Sequence, residues 1–112
     1  MHPYSDNVAM TNDRWPLIIA RAHAQTAYAD CPEKWVEKLI SQRESAESIA
    51  AVALNLCNQE EMAFLEASVA SMPGNEVKAR ADGAAWVADR KADIRLSIVS
   101  SIMLFRSSEP TP

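Results

Sequence analysis

Only two glycines occur in this chain of 112 residues, Gly74 and Gly83, and both stand where a helix would stop or bend. Around them run alanine-rich stretches whose apolar residues recur three and four apart. That is the spacing of one face of a helix. No strand pattern competes with it, and no internal repeat is visible. The predicted fold is therefore all-α, a four- or five-helix bundle with a long C-terminal helix. Its 112 residues have room for one domain and one core. We expect an irregular N-terminal arm over 1–12, a single helical domain over 13–106 and a flexible tail over 107–112.

Local signals divide the domain. The first helix is expected near Asp13 to Pro16, capped by Asn12 or Asp13, with Pro16 in a first turn where its missing N–H costs nothing. Trp15, Ile18, Ile19 and Ala22 mark its apolar face. Asp30-Cys31-Pro32 reads as a stop and a restart. The next helix runs from about Glu33 with a stripe of Trp35, Val36, Leu39 and Ile40. Apolar residues vanish over Ser41 to Ser45, and Ser45 with Ser48 offers capping hydroxyls for a new start. Ala46 to Cys57 is apolar on most sides, as a central helix is. Asn58 and Glu61 have capping-box spacing ahead of Met62, Phe64, Leu65 and Val69. Met72-Pro73-Gly74-Asn75 ends that helix, and Asn75 can cap the last one, from Glu76 to about Arg106. Asp82-Gly83 is the expected bend in it, and Glu76 with Arg80 is correctly ordered for an i,i+4 pair.

Charge narrows the partners. Residues 1–75 carry 5 Lys and Arg against 10 Asp and Glu, and the whole chain has a net charge of −4. An acidic domain lacks the positive field behind most nucleic-acid affinity, so no direct nucleic-acid partner is expected. The stretch 47–66 could be tested as a helix-turn-helix, but its second helix would carry Glu60, Glu61 and Glu66 with no Lys or Arg. The start of the chain has neither a basic region nor an apolar run of the signal-peptide kind. The longest late apolar stretch, Leu96 to Phe105, is interrupted by serines and is about half the roughly 20 residues a membrane helix needs. The expectation is a cytoplasmic protein with no membrane partner. Cys31 and Cys57 are too few for a disulfide framework and read as reduced thiols, Cys57 buried and Cys31 at a helix start.

No chemistry is spelled out. Structural zinc wants four ligands in tight pairs, and His23, Cys31 and Cys57 do not supply them, so no metal and no cofactor is expected. Ala20 stands where a di-iron Glu-x-x-His motif would need Glu before His23. A nucleophile would have to pair Cys31 or Cys57 with His23, without a glycine-rich elbow. Both phosphate-loop patterns are absent. The run Asp89 to Arg95 reads as a solvated helix face. The reading is a non-catalytic protein–protein interaction module, not an enzyme: an adaptor, assembly factor or inhibitor. An inhibitor encoded by a phage or mobile element is one concrete version. Glu60, Glu61 and Glu66 are the expected partner-binding residues, toward a protein with a basic surface.

The last helix carries one apolar seam through Val87, Ile94, Ile98, Ile102 and Phe105, and a second through Leu96, Val99 and Met103. One side can face the core, and the other needs a neighbouring helix or a second molecule. A homodimer is expected, with Ile94, Ile98, Ile102 and Phe105 at its interface. The alternative function is a small-molecule-binding helical module or minor enzyme, its interhelical pocket formed by Trp15, His23, Tyr28 and Trp35.

Overall fold

The computed structural model describes the backbone of residues 3–108 and the side chains of residues 14–108. Among the described residues four helices follow one another: α1 (Pro3–Leu39), α2 (Ala46–Leu56), α3 (Asn58–Ser71) and α4 (Glu76–Ser108). The all-α fold with a long C-terminal helix is thus the observed one, and α1 is longer still, at 37 residues against 33 for α4.

The starts and stops that depend on local chemistry are where the residues call for them. Ser45 caps α2, its hydroxyl accepting from the Ser48 N–H at 3.1 Å. Asn75 caps α4, its side-chain oxygen accepting from the Lys78 N–H at 2.8 Å. Gly74 takes φ +100°, a value open to glycine and strained for other residues.

Several expectations are corrected by packing. The stop and restart at Asp30-Cys31-Pro32 does not occur, because α1 runs unbroken through both Pro16 and Pro32. A proline removes one rung of the helix ladder. Here Pro32 is fully buried and tertiary contact holds the turn in place. The helix also continues back to Pro3, through the stretch expected as an irregular arm, whose side chains lie outside the described residues, as do residues 109–112 of the expected tail. Asn58 is the first residue of α3 rather than its cap. Cys57 holds the cap position without a side-chain hydrogen bond, since only that residue separates α2 from α3. Arg80 pairs with Glu66 at 3.5 Å instead of Glu76, and the i,i+4 pair of this turn is Lys78 with Asp82 at 2.6 Å.

Gly83 is no interruption either, for α4 passes straight through it. Its role is close approach. A Cβ built there would lie 2.8 Å from Val69 Cγ2 and 3.0 Å from the Val69 backbone nitrogen, so α3 and α4 touch backbone to backbone at that level.

The four helices make three rods. α2 and α3 run on from each other as one broken rod, with few contacts between them. α1 lies antiparallel along one side of this rod: Arg14 reaches Ser71, Tyr28 reaches Phe64 and Cys31 reaches Cys57. α4 lies antiparallel along the other side, with Gly83 at Val69, Lys91 at Glu61 and Arg95 at Glu47. α1 and α4 are therefore parallel, and they scarcely touch each other. The radius of gyration is 18.3 Å, against about 13 Å for a compact chain of this size, and the body measures 73 × 25 × 16 Å. Its core is a strip along the broken rod, built on Tyr28, Ile49, Leu54, Phe64, Ile98 and Ile102.

Candidate interhelical groove

Two of the three α3 carboxylates, Glu61 and Glu66, are engaged within the molecule. Glu61 is half-buried, and one of its oxygens accepts from the Tyr28 hydroxyl at 2.9 Å and pairs with Lys91 Nζ at 2.9 Å. This knot ties α1, α3 and α4 together. Burial foremost, then the hydrogen bond to Glu61 and the negative charge of that carboxylate, raise the Tyr28 phenol well above its ordinary range. Glu66 faces Arg80. Glu60 is half-buried beside the cysteines, its carboxylate within 4.8 Å of both sulfurs. Of the three, only Glu66 is exposed.

Cys31 and Cys57 are bonded to each other, which corrects the reading as two reduced thiols. Twenty-six positions apart in sequence, they are brought to a Cα separation of 6.0 Å where α1 crosses the α2–α3 break. A count of two cysteines carries no sign of that meeting. As a disulfide the pair offers a metal or an electrophile no thiolate.

The residues named for a dimer seam are split. Ile98 and Ile102 are buried among the chain's own helices, Ile94 is half-buried and Phe105 is exposed. The large apolar side chains that α4 leaves most uncovered are Val77 at its start and Leu96, Met103 and Leu104 further on, at 81%, 68%, 60% and 70% exposure. The residues named for a pocket are scattered. Tyr28 is fully buried, His23 and Trp15 are exposed, and Trp35 lies half-buried under Lys38 Nζ at 4.9 Å. Trp15 and Trp35 are separated by about 30 Å along α1.

One concavity comes from the separation of α1 and α4. At one end the two helices are bridged. The Arg21 guanidinium of α1 stacks 4.7 Å from the Trp86 ring of α4, with Arg90 5.4 Å away from that ring. Beyond this bridge the helices part over a groove of about 410 Å³. Its α1 wall is Ala29, Asp30, Glu33, Val36 and Glu37, and its α4 wall is Ile94, Ser97, Ile98 and Ser101. Asp30, Glu33 and Glu37 fall three and four apart, so their carboxylates line one edge. No ion pair among the described residues involves any of them. The opposite edge carries small hydroxyls, and Val36, Ile94 and Ile98 make an apolar lining. Sequence reasoning used Glu33 only as the start of a second helix. The signal it lacked was the run of α1 through Pro32, which sets Asp30 on the same continuous helix.

Comparison of the chain with known protein families, characterised proteins and solved structures gives no match. Among the described residues no helix is long and apolar enough to cross a membrane.

Proposed function

We propose that this chain is a non-catalytic protein–protein interaction module, an adaptor, assembly factor or inhibitor that works by presenting helical surface. The observation that carries the reading is the unclosed side of the fold. Two long helices flank a central rod and scarcely touch beyond the Arg21–Trp86 bridge, and the groove between them leaves apolar side chains of both walls in reach of a partner. A bundle buries such a strip by adding a helix, from the same chain or from another. The acidic balance of the chain fits a partner with a basic surface. His23 stands exposed on α1, and the two cysteines are consumed in a bond, so the nucleophile pairings open to this sequence find no support.

The expected two-fold pairing moves with the burial. Leu96, Met103, Leu104 and Phe105, rather than Ile98 and Ile102, are the apolar side chains of the C-terminal half of α4 available for self-association. Cytoplasmic residence accords with reduced thiols, whereas the Cys31–Cys57 bond accords with an oxidising compartment.

Native mass spectrometry of the protein captured gently from its own cells tests the module reading. A stoichiometric foreign protein is the expected result. The chain alone, its own dimer, or a dimer carrying a small mass would overturn it.

A further inference from the structure

We infer that the α1–α4 groove takes a short amphipathic helix of another protein, apolar and small on the face it buries and carrying Lys or Arg along the flank that meets α1. The inference rests on the interaction-module reading and goes on to assign its site and the chemistry of its partner.

The shape argues for a helix. The groove lies between two parallel helices with a third rod behind them, which is the vacant position of a four-helix bundle. It extends from Ala29 to Glu37 on one wall and from Ile94 to Ser101 on the other, about 12 Å along the axis. That length holds two to three turns. The Arg21–Trp86 bridge closes one end, so the occupant is a short segment laid beside the C-terminal halves of α1 and α4. Ser97 and Ser101 are small and one turn apart, which lets a neighbouring backbone come close to α4.

The charge argues for its flank. Asp30, Glu33 and Glu37 are exposed along one edge and make no ion pair among the described residues, whereas Glu47, Glu61 and Glu66 are each matched with a cation. A second copy entering by its own groove would set three carboxylates against three, a like-charge arrangement that opposes pairing. A cationic flank turns the same edge into an attraction and fixes the orientation of the incoming helix.

The test uses two synthetic helical peptides of about 14 residues. Both have Leu and Ala on one face, and one flank is Lys in the first and Glu in the second. Binding to the intact, oxidised protein is read by fluorescence anisotropy at low and high salt. Tighter binding of the Lys peptide by at least about tenfold, weakened by salt, is expected. The double reversal Glu33→Lys with Glu37→Lys should lose that preference. Glu76→Lys with Asp89→Lys, equal in charge change but outside the groove, should keep it. Ser101→Trp, at an exposed position, should block binding while circular dichroism stays unchanged.

Equal effects of the two double reversals would mean attraction to net charge alone and would overturn the proposal. So would binding that Ser101→Trp leaves intact, no binding of either peptide, or a self-dimer that Ser101→Trp dissolves, which would make the occupant a second copy. A foreign protein captured in cells and held equally well by the Glu33→Lys, Glu37→Lys variant would sink the groove assignment and leave the module reading standing. Capture of no protein would remove the module reading itself.

Discussion

Reducing the Cys31–Cys57 bond in the otherwise unaltered protein should cost about 3.5 kcal/mol of stability. The figure follows from the loop the bond closes. With the cysteines 26 positions apart, the loop-closure entropy removed from the unfolded chain is about 12 cal/mol/K, or about 3.5 kcal/mol at 25 °C. Unfolding a helical domain of 112 residues carries an entropy of about 235 cal/mol/K near its midpoint, so the melting temperature should fall by about 15 °C. The loop spans the end of α1, the turn at 40–45 and all of α2, so reduction frees the part of the molecule that holds the groove's α1 wall to the central rod. The assay is thermal melting by circular dichroism, with and without a phosphine reductant. Thiol alkylation and mass measurement establish the redox state of each sample. The double variant Cys31→Ala, Cys57→Ala should melt near the reduced protein and not respond to the reductant. Oxidised and reduced samples melting within about 3 °C of each other would refute the argument. Alkylation of both cysteines in protein quenched with acid directly from its cells would instead show that the bond is not made there and would remove the oxidising-compartment reading.

Other perturbations reach the remaining joints of the fold. Gly83→Ala should destabilise by about 1–2 kcal/mol in urea titration, because a Cβ 2.8 Å from Val69 Cγ2 outweighs the roughly 1 kcal/mol of helix propensity that alanine brings. Val69→Ala should rescue this only in part, since the Val69 backbone nitrogen at 3.0 Å remains, and a stabilised Gly83→Ala would contradict the close approach. Tyr28→Phe should cost about 1–2 kcal/mol through the lost hydrogen bond to Glu61. Because the folded-state value of this phenol is raised, its contribution is full below about pH 10 and is lost as pH rises toward the folded value. The wild type should therefore weaken in alkali more steeply than Tyr28→Phe, and parallel pH profiles would remove the phenol as the cause. Ile102→Asp should abolish the helical signal while Leu96→Asp keeps it, and a folded monomeric Ile102→Asp protein would return Ile102 to an intermolecular seam.

What could be read in the sequence was the local part. Apolar spacing identified helices, and the Ser45 cap, the Asn75 cap and the helix stop ahead of Gly74 followed from the chemistry of one or two residues each. Errors arose where distant residues decide. Pro32 looked like a helix start because a proline lacks its N–H whatever surrounds it, yet burial against the rest of the fold carries α1 across it. Gly83 looked like a bend because glycine is flexible, but its service is to be small beside Val69. Glu61 had capping-box spacing and instead serves Tyr28 and Lys91, partners more than 25 positions away on either side. The cysteine bond belongs to the same class. The groove was half legible: the surplus of acid in the first 75 residues was plain, whereas the identity of its unpaired members depended on which carboxylates the other helices had already matched.

The central claim is that the gap between α1 and α4 is a seat for a basic helix. Titrating isotope-labelled protein with the Lys-flanked peptide and following backbone amide shifts by NMR tests it most directly. The account predicts shifts concentrated over Ala29–Glu37 and Ile94–Ser101, saturating together. Shifts centred on the outer flank of α4 around Leu96 and Met103, or scattered over every acidic surface, would contradict it.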